Sequence, residues 1–174
     1  MPSPFMFKSA LAVGLCTFAA LAAAQKTQLL VYTALETDQL KAYQDGFNKA
    51  YPDIELKWVR DSTGVITAKL LAEKNNPQAD AVMGVAASSL ALLDRQGMLE
   101  PYAPLNLDAI MSQYRDKKKP PAWFGMDVWG ATICFNTIEA QKRNLPKPET
   151  WKDLTKPIYK GQIVMPNPAS SGTG

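Results

Sequence analysis

The spacing of apolar and polar positions changes period in a regular order along this chain. Residues 28–33 (QLLVYT) form a short β-rich run ending in a polar residue. Leu40, Tyr43, Phe47 and Ala50 then recur at three- and four-residue steps, with Lys41, Gln44, Asp45 and Lys49 between them, which predicts a helix. Tyr51-Pro52-Asp53 stops it. In residues 54–60 (IELKWVR), Ile54, Leu56 and Trp58 alternate against Glu55 and Lys57, so a second strand is expected. The polar turn Asp61-Ser62-Thr63-Gly64 opens a second helix carrying Ile66, Leu70 and Leu71, and Asn75-Asn76-Pro77 ends it. Residues 80–84 (DAVMG) read as a third, buried strand. Residues 88–96 read as a third helix, closed by Gly97 as its C-cap.

Strands alternating with helices imply a parallel, doubly wound α/β sheet. Ligands of such sheets sit beyond the carboxyl ends of the strands. Those ends are Thr33-Ala34, Asp61-Ser62-Thr63-Gly64 and Gly84-Val85-Ala86, all small or polar as a ligand-facing rim requires. Residues 102–121 are looser, with several prolines and the run Lys117-Lys118-Lys119 in a solvated loop. Beyond them, 128–135 (VWGATICF) and 161–165 are expected to be strands, and 151–154 a short helical piece introduced by Pro148-Glu149-Thr150. Tyr32, Trp58 and Trp129 are expected in the core, and Cys134, on an apolar strand, as an inert buried thiol.

The first residues change the picture of where the protein works. Lys8 precedes a small, apolar stretch over 10–24, and Ala22 and Ala24 make an A-x-A cleavage site, so residues 1–24 read as an export signal and Gln25 as the mature start. The apolar run is shorter than the roughly 20 residues a spanning helix needs. Leu15 stands before Cys16 where a lipoprotein signal would want a small residue. A periplasmic, unanchored product is expected. Lys8 is the one charged residue removed, so the net charge falls from +3 to +2, too small to argue for nucleic acid or a membrane surface. Cys134 alone survives cleavage, so no internal disulfide forms. The chain has no histidine, which removes the commonest general base and metal ligand.

Two turns carry candidate chemistry. Asp61-Ser62-Thr63-Gly64 stands between a strand and a helix, where free N–H groups and two hydroxyls make an anion site or an ordinary helix cap. Ser170-Ser171-Gly172-Thr173-Gly174 has the same character and reads either as the start of a second such site or as a flexible end. It lacks the G-x-x-x-x-G-K-[ST] of a nucleotide loop. Glu36, just after the first strand, is placed either to meet a ligand amine or to complement a helix dipole. No G-x-S-x-G elbow and no clustered metal ligands are present, so neither an enzyme nor a cofactor is expected.

Val31-Tyr32-Thr33-Ala34-Leu35-Glu36-Thr37-Asp38, the run from Trp58 to Glu73 and Asn167-Pro168-Ala169-Ser170-Ser171-Gly172-Thr173-Gly174 resemble the substrate-binding subunits of 2-aminoethylphosphonate ABC importers, within the ferric-iron-binding group of extracellular solute-binding proteins. The resemblance runs from about Leu29 to the last residue. It implies a class II periplasmic-binding-protein fold, with lobe one over 25–127 and a crossover and truncated start of lobe two over 128–174. It implies that Thr33, Ala34, Ser62, Thr63 and Gly64 line one side of a cleft and Ser170, Ser171, Gly172 and Thr173 the other, with Glu36 as partner of the ligand's amine. The implied partners are a small anionic phosphonate and the importer's permease, with the protein itself a monomer. Ferric iron is the alternative ligand, and an enzyme on a similar two-lobed fold a remote one. Members of that group are much longer than 174 residues, so the chain is expected to be a fragment or a truncated frame that binds ligand poorly alone.

Overall fold

The computed structural model describes residues 26–174, so the expected export signal lies outside the described residues. Three strands form the sheet: β1 (Thr27–Thr33), β2 (Ile54–Arg60) and β3 (Ala81–Met83). Their order is β2-β1-β3, and both pairings are parallel. The register sets Thr33 opposite Arg60 on one side and Met83 on the other, so the three carboxyl ends finish at one edge. The helices between them are α1 (Thr37–Ala50), α2 (Thr63–Ala72) and α3 (Ala87–Arg95). This is the β-α-β-α-β-α order that the periodicity predicts.

Each helix has local reasons to start and stop where it does. Ahead of α1, the Glu36 N–H donates to the side-chain oxygen of Gln39 at 3.1 Å. Within α1, Lys41 reaches Asp45 and Gln44 reaches Asn48, both at i,i+4 spacing. α3 ends in a Schellman motif. Gly97, at φ +67°, donates to the Asp94 carbonyl, and the Met98 N–H donates to that of Leu93. The Lys74 ammonium then meets Gln96, joining the two helix ends.

The core lies between the sheet and α2 and α3. Tyr32, Ile66, Leu70 and Leu93 are buried together, with Leu30, Val59, Val82 and Leu99 packed around them. Burying a side chain such as Ile66 stabilises the fold by about 1.5–3 kcal/mol. Leu35, also fully buried, lies under Gly84. The Tyr32 phenol enters this core with a partner: its O–H donates to the Glu73 carboxylate, which also accepts from Lys69.

The second half holds less regular structure. Its one α-helix, α4 (Thr137–Lys142), was not expected from the periodicity; the Asn136 side chain caps it by accepting from the Glu139 N–H at 3.0 Å. The helical piece at 151–154 is a 3-10 turn, Trp151–Thr155, held by a reciprocal Thr150–Asp153 cap. Residues 102–126 fold back through Tyr102 N–H to Pro121 O and Gly125 N–H to Tyr114 O, and Lys118 ties the lysine loop to Asp94 on α3.

Four expectations fail here for one reason. Residues 128–135 and 161–165 are not strands. A strand needs a neighbour to take its backbone donors and acceptors, and none pairs with these segments among the described residues. Without a sheet to lie against, Trp129 is 59% exposed rather than core, and Cys134 is exposed rather than buried.

Candidate functional site

The shared carboxyl edge of the strands passes directly into two helix starts. At the end of β2 the chain is held by the Asp61 N–H donating to the Thr33 carbonyl at 3.1 Å, and the Ser62 N–H donates to the Asp61 side chain at 2.7 Å. Ser62 then takes extended backbone angles as the residue before α2. Ala86 plays the same part before α3. Both helices thus begin side by side on one face of the sheet edge.

A cleft of about 540 Å3 lies over these two starts. Thr63, Gly64 and Thr67 of α2 line it, with Ala86, Ser88 and Ser89 at the start of α3, and Pro168, Ala169, Ser171, Gly172 and Gly174 close it from the far end of the chain. None of its lining side chains is titratable. Its polar character comes from hydroxyls and backbone dipoles, which suit binding an anion better than moving a proton. The Thr67 hydroxyl is not free for that use, since it donates to the Thr63 carbonyl at 2.6 Å.

The residues singled out from sequence divide among several environments. Thr63, Gly64, Ser171 and Gly172 line the cleft. Thr33 is fully buried, and its hydroxyl accepts from the Leu35 N–H at 3.1 Å, so it shapes the turn beneath the rim. Ala34 is half-buried beside it, and Ser62 is half-buried ahead of α2. Ser170 meets the cleft through its backbone, its carbonyl accepting from the Gly64 N–H at 2.9 Å. Thr173 is exposed, and its N–H donates to the Ser171 hydroxyl. The Glu36 carboxylate is engaged by Arg60, whose Nη2 donates to it at 2.5 Å while its Nε donates to the Leu35 carbonyl. Ser88 and Ser89 escaped sequence reasoning, although two adjacent hydroxyls opening the predicted third helix, just beyond the rim residues Gly84-Val85-Ala86, were the signal that could have found them.

The strongest electrostatic perturbations lie outside the cleft lining. The Lys69 ammonium, and after it the Tyr32 hydroxyl, holds the Glu73 carboxyl below the usual range. Burial, reinforced by Glu73, pushes the Tyr32 phenol up. Farther on, the Lys156 ammonium and the Thr150 N–H and hydroxyl hold Asp153 well below the usual carboxylate range. Among the described residues, no three His, Cys, Asp or Glu side chains gather as a metal site. No described helix is long and apolar enough to cross a membrane.

Residues 76–174 match the family model described as bacterial extracellular solute-binding protein. A protein of Haemophilus influenzae is 31% identical over 151 residues, which are 85% of this chain and 43% of that one. A probable ABC transporter periplasmic-binding protein, y4fP, of Sinorhizobium fredii is 33% identical over 119 residues, 68% of this chain and 32% of that one. Among solved structures, the periplasmic binding protein AfuA from Actinobacillus pleuropneumoniae, with exogenous fructose-6-phosphate bound, superposes with a TM-score of 0.69 at 31% identity, covering 84% of this chain and 47% of AfuA. The periplasmic binding protein P5PA superposes with a TM-score of 0.67 at 26% identity, with the same coverage. The α/β architecture is therefore that of periplasmic binding proteins, and the chain spans less than half the length of these relatives.

Proposed function

The chain belongs to the bacterial extracellular solute-binding proteins, and from that premise we propose that it is the periplasmic binding component of an ABC importer. Its ligand is a small organic phosphonate or phosphate, with 2-aminoethylphosphonate the first candidate. It works as a monomer, handing ligand to the importer's permease subunits.

The observation that carries this reading is the cleft itself. Two helix starts and a Ser/Gly turn converge on a space whose lining side chains are all uncharged. A tetrahedral oxyanion is satisfied there by oriented N–H groups and by the hydroxyls of Thr63, Ser88 and Ser171, without a full positive charge. On this reading Thr33, Ala34 and Ser62 support the first side of the site, and Ser170, Gly172 and Thr173 the second. Glu36 meets a ligand amine only by sharing or exchanging its Arg60 partner. A second reading keeps the site and enlarges the ligand to a sugar phosphate, favoured by the likeness to AfuA with its bound fructose-6-phosphate.

A thermal-shift panel on the chain, together with any continuation its reading frame encodes, tests the proposal. Ligand at about a hundredfold over its Kd adds about 2.7 kcal/mol to stability. A rise with 2-aminoethylphosphonate, and none with sulfate or ferric citrate, is expected. A rise with fructose 6-phosphate instead selects the sugar-phosphate reading. A rise with ferric citrate alone overturns both.

A further inference from the structure

The start of α2 is already engaged by the chain itself. First-turn N–H groups of a helix have no intrahelical acceptor. Those of Thr63 and Val65 have no backbone acceptor among the described residues. The Gly64 N–H between them does: it donates to the Ser170 carbonyl at 2.9 Å.

That carbonyl is presented by a turn that supports itself. The Asn167 side-chain oxygen accepts from the Ala169 N–H, and its backbone oxygen accepts from the N–H groups of Ser170 and Ser171. The turn seats on α2 because two side chains are missing. A Cβ on Gly64 would lie 2.5 Å from the Ala169 carbonyl oxygen and 2.6 Å from the Ser170 Cα, both of them backbone atoms that cannot swing aside. From the other direction, a Cβ on Gly172 would lie 2.9 Å from the Thr63 hydroxyl oxygen. Gly64 is inside a helix and does not have a positive φ, so alanine would serve α2 itself better than glycine does. Close approach, not backbone freedom, is what glycine supplies here.

We propose that residues 167–174 are a latch that closes on the start of α2 using only the chain's own backbone, with Gly64 and Gly172 as the two positions that let it seat. The Ser170 carbonyl takes the Gly64 N–H that an anionic ligand's oxygen would otherwise accept from. A ligand reaching this helix start therefore has to open the latch. That consequence rests on the cleft being the ligand site; the latch does not.

Residue-resolved hydrogen exchange, with no ligand added, reads the latch directly. In the unaltered chain the Gly64 amide exchanges at least about tenfold more slowly than those of Thr63 and Val65. In Gly64→Ala the amide at position 64 becomes as fast as its neighbours and proteolysis within 167–174 speeds up. The Ile66 amide, which donates to the Ser62 carbonyl, stays slow and shows that α2 is intact. Gly172→Val, which leaves position 64 untouched, releases the Gly64 amide in the same way. A Gly64 amide as fast as its neighbours in the unaltered chain overturns the latch, and so does a slow amide retained in both variants. A variant that loses Ile66 protection has unfolded, and the unaltered chain then decides. Because no ligand takes part, failure here leaves the ligand reading standing, and a blank ligand panel leaves the latch standing.

Discussion

Glu36 and Tyr32 both flank the turn after β1, and their partners decide their uses. The Glu36 carboxylate lies against Arg60, and both side chains are substantially exposed, so the pair contributes under about 1 kcal/mol. Its effect is geometric: Arg60 ties the last residue of β2 to the Leu35 carbonyl and to the start of α1. Tyr32 is different because its ring is in the core and its hydroxyl is spent on Glu73, with the Lys69 ammonium 5.3 Å from the ring centre. The Glu73 carboxyl is held below its ordinary value of 4.5, first by Lys69 and then by the Tyr32 hydroxyl. A group held down in the folded state contributes stability above its unfolded pKa and loses it as pH falls through the folded one. The Tyr32 phenol, raised above 10.0 chiefly by burial, keeps its contribution below that value and loses it as pH rises further. The gap in urea midpoint between the unaltered chain and Glu73→Gln is therefore expected to be flat from about pH 6 to 9 and to narrow below about 4.5. A gap that stays constant down to about pH 3 would show that the Lys69–Glu73–Tyr32 network does not act this way.

The β-α elements depend on a few tight joints, of which Gly84 is the clearest. It follows β3 at φ +64°, and a Cβ there would lie 2.3 Å from the Leu35 Cγ, itself fully buried. Gly84→Ala meets both the cost of a left-handed backbone and an overpacked core, and is expected to destabilise the chain by at least about 2 kcal/mol. Adding Leu35→Ala should return the steric part, so a double-mutant cycle in urea would show favourable coupling. Strictly additive effects would refute the joint. The same scale explains what was legible in the sequence. The first three strands and helices were readable because each announces itself locally: alternation in 54–60, helical spacing from Leu40 to Ala50, and Gly97 after α3. α4 carried a local signal too, Asn136 three residues ahead of Glu139, but its helix is too short to show a period. Residues 128–135 were misread because composition reports β-preference while a strand exists only with a partner. At the site, both small-residue turns were visible in the sequence. That the Ser170 carbonyl would meet the Gly64 N–H, or that Arg60 would take Glu36, depends on the parallel register and on chain return, which no local pattern encodes.

At the scale of the whole molecule, the two halves differ in how they treat apolar surface. The first half buries Tyr32, Ile66, Leu70 and Leu93 together between sheet and helices. The second leaves Val128 72% and Val164 97% exposed, together with Trp129, Met126 and Met165. Scattered exposed apolar residues are ordinary, but runs of them concentrated in the segments with the most strand-like composition are where association begins. The 174-residue chain is therefore expected to bind a hydrophobic dye while fully folded, and its sedimentation coefficient to rise with concentration. Val128→Lys with Val164→Lys removes two of the most exposed groups without touching the Tyr32–Ile66–Leu93 core, so it should suppress both signals and leave the unfolding free energy read from urea titration within about 0.5 kcal/mol. Unchanged dye binding in that double variant would place the adhesive surface elsewhere. A large fall in midpoint would mean that these side chains already support the fold, and that the second half is better packed than its exposure implies.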